Sequence, residues 1–278
     1  MRLTLVVVMA VASTASAAPD YAGHIKALRE KLAAKGMTDV AIRIEEPFVV
    51  VGDAGDEALA RDARTVRWAA DKLEADFFTK RPTKILDIYL FHDAESYERG
   101  VKLLTTDAPD TPYGFYSPSA QGLFMNIATG GGTLVHEIVH PYVEADFPDA
   151  PPWLNEGLGS LFEQSAEQDG HIVGLTNWRL PALQRAIKQG DVPTFSSLMH
   201  LGSNEFYGDD QGINYAESRY LLYYLQQTGK LRGFYKAFRA AHGKDPSGLT
   251  TLTKTVGDLG KLQPAWESWV AKLKFSFR

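Results

Sequence analysis

The sequence predicts an α+β fold, with a small sheet assembled first and a helical half after it. Two observations carry this. From about residue 20 to 128, apolar patterns of helix period and strand period alternate, whereas from Thr133 onward almost every signal is helical. Between these stretches Gly130-Gly131-Gly132 interrupts the chain. Residues 18–132 therefore read as an N-terminal α/β half, and 133–278 as the helical half of the same domain.

Residues 1–17 stand apart from that pattern. Met1-Arg2 supplies a positive charge, Leu3 to Val11 is almost unbroken apolar sequence, and Ala15-Ser16-Ala17 precedes Ala18-Pro19. This is the layout of a secretory signal peptide, so the chain is expected to be exported to a periplasmic or extracellular space. Tyr21 to Lys35 follows, with Ile25, Leu28 and Leu32 at helical spacing and a stop at Gly36. Residues 20–45 can be read either as a propeptide or as the first helix of the fold. Pro47 to Val51 predicts a short strand, Asp56 to Phe78 a long helix, Lys84 to Phe91 a strand and Ala94 to Leu104 a helix. A loop rich in Pro and Gly spans 108–122, with aromatic residues at Tyr113, Phe115 and Tyr116, and Leu123 to Ala128 predicts a further strand. Helices are then expected near 133–146, 153–167, 179–189, 213–228, 231–242, 247–256 and 263–273.

Composition narrows the function classes. The 278 residues are 45% hydrophobic and 23% charged, as in a globular protein, with a formal net charge of −5. That charge excludes a nucleic-acid partner recognised through a broad basic face. No run reaches the roughly 20 apolar residues of a membrane span. The absence of cysteine excludes disulfides, thiolate metal ligands and a cysteine nucleophile. No strand-linked Gly-x-Gly-x-x-Gly, phosphate loop or Gly-x-Ser-x-Gly elbow is present.

His136-Glu137-Ile138-Val139-His140 fits the pattern H-E-x-x-H. On a helix, residues four apart project from one face, so two imidazoles can bind one metal ion from a rigid backbone. Glu137, beside the first histidine, then faces the water at the metal and can take its proton. Zinc suits such a site because it lowers the pKa of water to about 7. A catalytic zinc takes three protein ligands, and two residues compete to be the third. Asp146 occupies the position of a third ligand six residues after the second histidine, but Val143 stands where that arrangement needs glycine. Glu156, in Pro152-Trp153-Leu154-Asn155-Glu156-Gly157, would be carried back towards the histidines by the first turn of a new helix.

His-Glu-x-x-His followed by Trp-Leu-x-Glu-Gly resembles the gluzincin zinc peptidases, and most closely their peptidase MA-like branch. The resemblance is strongest over 133–163. It extends more weakly to Gly114-Phe115-Tyr116, the strand at 123–128 and Tyr215-Ala216-Glu217-Ser218. It implies a thermolysin-like catalytic domain acting on a peptide or protein substrate, with an edge strand for that substrate. It also implies that His136, His140 and Glu156 are ligands of one Zn²⁺ and that Glu137 is the catalytic base. Tyr215 is the implied donor to the oxyanion of the intermediate, with Tyr207 the next candidate. The chain departs from the family twice. Ser160 occupies the position where many relatives carry an acid that orients a ligand histidine, which leaves Asn155, Glu163 or a backbone carbonyl for that task. Pro141 removes a helix hydrogen bond directly after His140.

The alternative of a different class is a catalytically silent zinc- or peptide-binding protein on the same scaffold. Retention of Glu137 argues for catalysis, because a structural zinc takes four protein ligands and needs no base. His24, His92, His171, His200 and His242 lack ligand spacing and read as surface or capping residues. Asp53 to Glu57 and Asp209-Asp210 do not follow a calcium loop. Gly130 to Gly132 reads as a hinge beside the H-E-x-x-H helix.

Overall fold

Along Phe48-Val49-Val50-Val51 successive side chains leave the strand on opposite faces, and both faces are covered. Phe48 and Val50 join one apolar cluster, Val49 and Val51 another, and all four are buried. Burying each such side chain is worth about 1.5–3 kcal/mol, so this strand belongs in the interior of a sheet covered on both sides.

The computed structural model describes residues 19–107, 111–117, 119–208 and 211–275. Residues 1–17, expected to be a signal peptide, and Asp209-Asp210 lie outside the described residues. The first half contains α1 (Tyr21–Ala34), β1 (Ala41–Glu45), β2 (Phe48–Gly52), α2 (Asp56–Asp76), β3 (Leu86–Phe91), α3 (Ala94–Leu104), β4 (Gly114–Ser117) and β5 (Gly122–Asn126). The strands form one sheet in the order β1-β2-β3-β5-β4. The pairings β2–β3 and β3–β5 are parallel, and the outer strands β1 and β4 pair antiparallel to their neighbours. Residues of α2 cover one face with Ile88, Leu90, Leu123 and Met125, while residues of α1 and α3 cover the other with Tyr89, Phe91 and Phe124.

A 3₁₀ turn at Ile127–Thr129 leads into α4 (Gly132–Asp146) and α5 (Pro152–Phe162). A hairpin follows, β6 (Ser165–Gln168) and β7 (His171–Gly174), and then α6 (Leu180–Gln189), α7 (Phe195–Met199) and α8 (Ser203–Phe206). The chain closes with α9 (Gln211–Gln227), α10 (Leu231–Ala241), α11 (Leu249–Val256) and α12 (Leu259–Val270). The architecture is α+β, as the sequence predicts. No helix among the described residues is long and apolar enough to cross a membrane.

Four local expectations are corrected. Residues 41–45 form an edge strand paired along its length with β2, and 114–117 form a strand inside the expected loop. The expected helix 153–167 stops at Phe162, because Asp169-Gly170 turns the chain back into a hairpin. Both turn residues have positive φ, 52° and 81°, the geometry of an Asp-Gly hairpin turn. The short helices α7 and α8 fall between the expected ones.

Candidate metal centre

The position of α4 follows from its apolar residues. Leu134, Val135, Ile138, Val139, Tyr142 and Val143 are buried, and the Tyr142 hydroxyl donates to Glu74 Oε1 at 2.6 Å. The helix continues unbroken through Pro141 to Asp146. The start of α5 is anchored by Trp153, whose fully buried ring stacks on Phe238 with centroids 5.9 Å apart. The indole N–H of Trp153 donates to the Ser247 carbonyl at 3.0 Å. Pro152 opens α5 at a position where a backbone N–H has no helical partner to lose.

These two anchored helices bring together His136, His140 and Glu156. Glu156 Oε2 lies 3.2 Å from His136 Nε2 and 3.8 Å from His140 Nε2. One ligand atom from each residue lies within 4.8 Å of the others, the one such group among the described residues. Donors bound to one ion at about 2.0–2.2 Å in a tetrahedron are roughly 3.3–3.6 Å apart, and both distances from Glu156 Oε2 lie close to that range. The three residues can hold a metal ion.

Each far ring nitrogen faces a polar group outside the shared space. His140 Nδ1 lies 3.0 Å from Asn155 Oδ1, and His136 Nδ1 lies 3.2 Å from Glu163 Oε1. The second contact has ion-pair distance but lies off the hydrogen-bond line. Both arrangements leave Nε2 turned to the shared space, as ligand histidines require. Gly159 makes room for this, since a Cβ there would lie 3.0 Å from the His136 ring.

Charge reinforces the arrangement. Burial lowers the basicity of His136, but the Glu156 and Glu163 carboxylates outweigh it and push its pKa up to about 10. Burial raises Glu156 and Glu163, yet the histidines around Glu156, and His136 with Arg179 around Glu163, bring each down to about 2. A cation entering the site therefore meets the Glu156 carboxylate and displaces a proton from His136. Burial holds the Glu137 carboxyl above its usual value, aided by the charges of Glu156 and Glu163 against the pull of both histidines.

Tyr207 and Tyr215 both reach the group. The Tyr207 hydroxyl donates to Glu156 Oε1 at 2.7 Å. The half-buried Tyr215 lies with its ring nearly parallel to that of His136, at 15° and 6.4 Å between centroids. Burial, with the Glu156 charge next, raises both phenols, so both keep their protons. Tyr215 lies in the second turn of α9, which begins at Gln211 and not at the tyrosine.

Asp146 is not in the site. It accepts hydrogen bonds from the Thr79 backbone and hydroxyl at 3.0 and 2.7 Å, from Lys80 N at 3.1 Å and from Tyr235 at 3.0 Å, and it pairs with Arg239. Its carboxylate fastens the end of α4 to the loop after α2 and to α10. Ser160 is fully buried and its hydroxyl has no partner, so it orients neither histidine. Among the other histidines, His24 bonds Asp87, His171 bonds Asp76 and His200 bonds the Ser196 carbonyl of its own helix.

A cleft of about 310 Å³ opens beside His140 and Glu156, lined also by Tyr116 of β4 and by Val143, Glu144 and Phe147. A larger cavity, about 550 Å³, lies between α6 and the start of α9 and touches none of the site residues. Sequence reasoning missed Asn177 and Arg179, which bond Glu163. Their role arises from the hairpin that returns the chain to α5, and no local pattern marks it. The chain matches no protein-family model and no curated protein.

Proposed function

We propose that this is an exported zinc-dependent metallopeptidase of gluzincin type, held to one Zn²⁺ by His136, His140 and Glu156. The observation that carries the proposal is the convergence of two imidazoles from one helix and one carboxylate from the next, with Glu137 on the first helix. Zinc at such a site polarises a carbonyl and lowers the pKa of water to about 7.

Glu137 takes the proton of the attacking water at its carboxylate and passes it to the leaving amine. Its raised pKa brings it closer to the working range of a general base. Among the described residues nothing hydrogen-bonds that carboxylate, so it is free to act. Tyr215 keeps its phenolic proton and donates it in a hydrogen bond to the oxyanion. The outer edge of β4 has no strand partner among the described residues, and Tyr116 links that edge to the cleft. An extended peptide can add to such an edge by backbone hydrogen bonds.

The test is digestion of a peptide library by the purified chain with and without a chelator. Cleavage that chelation abolishes and zinc restores is the expected result. Cleavage indifferent to chelation, or none after zinc loading, contradicts the reading.

A further inference from the structure

Glu163 follows the last turn of α5, and its carboxylate is held from three sides. Arg179 places Nε 3.0 Å from Oε2 and Nη2 2.6 Å from Oε1, and Asn177 Nδ2 donates to Oε2 at 3.0 Å. The oxygen gripped by Nη2 is the one 3.2 Å from His136 Nδ1. Arg179 also contacts two rings, its guanidinium 4.2 Å from the centroid of Trp178 and 5.1 Å from that of Tyr215. Tyr215 in turn lies nearly parallel to the His136 ring, with centroids 6.4 Å apart. One guanidinium thus touches both the carboxylate at the edge of His136 and the aromatic ring beside it.

We propose that Arg179 is a positioning residue for the metal centre, fixing the orientation of His136 through Glu163 and that of Tyr215 through contact with its ring. The inference rests on the metal-binding part of the reading above and not on peptide cleavage. A carboxylate on the remote nitrogen of a ligand histidine fixes its tautomer and ring angle, and losing such a partner weakens metal binding about 10–100-fold. A carboxylate held by a two-point fork has one orientation, whereas a single-point ammonium leaves it free to turn. No nearby group substitutes. The buried Arg219 donates to the Leu161 and Leu175 carbonyls instead, and Ser160 makes no bond.

The test compares Zn²⁺ affinity, by competition with a chromophoric chelator, among wild type, Arg179→Lys, Glu163→Gln and the double variant. Each single variant should bind Zn²⁺ about 10–100-fold more weakly. The double variant should be close to Glu163→Gln alone, because zinc affinity senses Arg179 through Glu163, whereas Tyr215 is not a ligand. Affinity within twofold of wild type in a folded Arg179→Lys or Glu163→Gln chain overturns the inference. If Glu163→Gln does not fold, the ring N–H resonances of Arg179→Lys decide. The His136 Nδ1–H signal should shift while that of His140 stays, and an unmoved His136 signal overturns the inference. A wild type that binds Zn²⁺ and cleaves no peptide removes the peptidase reading and leaves this one standing. A wild type that takes up no Zn²⁺ removes both.

Discussion

Gly159 and His136 are in contact across the α4–α5 interface, so closely that a Cβ on the glycine would lie 3.0 Å from three atoms of the imidazole ring. Only a residue without a side chain lets the ring stand between α5 and the space shared with His140 and Glu156. Gly159→Ala should push the ring by a few tenths of an ångström. That shift carries Nε2 away from the space it shares with His140 and Glu156. Zinc titration of the folded variant should show clearly weakened binding, with far-UV circular dichroism unchanged.

Glu137→Gln keeps size and shape but removes the proton acceptor. Peptide cleavage should fall by at least the 10²–10⁴-fold that a general base contributes, while one zinc per chain remains by metal analysis. Cleavage that persists at the wild-type rate would place the base elsewhere.

Tyr215→Phe should fold and bind zinc with little change in KM. Loss of one oxyanion donor costs about 2.7–4 kcal/mol, a drop of 10²–10³ in kcat. Tyr207→Phe is the control. It breaks the 2.7 Å hydrogen bond to Glu156, so its main effect should be on zinc affinity. The opposite split between the two variants would exchange their roles.

Asp146→Asn tests stability and not chemistry. Burial raises this carboxyl, but Thr79, Tyr235 and Arg239 outweigh it and hold its pKa below the usual value. A depressed folded pKa stabilises above the unfolded value near 3.9, and the gain is lost as pH falls through the folded value. Removing the charge leaves the partly exposed Arg239 without its ionic partner, a loss of about 1–3 kcal/mol. Denaturant unfolding should show Asp146→Asn weakened at pH 7, and less sensitive than wild type to pH below about 4.

The parts of the fold legible in sequence are those whose signal is long and local. The periods of α2, α4 and α9 survive averaging over many residues, and the four-residue spacing of His136 and His140 needs only one helix. Glu156 could be weighed against Asp146 because Pro152-Trp153 announces a new helix. The strands β1 and β4 were less legible because each is short and pairs at an edge with a partner elsewhere in the chain. Residues 163–167 favour a continuing helix, and only Asp169-Gly170 signals the hairpin. The link from Arg179 to Glu163 to His136 spans 43 residues of sequence and exists only after that hairpin closes.

Metal content after zinc loading and exhaustive dialysis, measured in parallel on wild type and Glu156→Ala, tests the centre most directly. The wild type should retain one zinc per chain, and Glu156→Ala should lose it under the same dialysis while remaining folded. A wild type that retains no zinc, or a Glu156→Ala chain that holds it as tightly, contradicts a centre built from His136, His140 and Glu156.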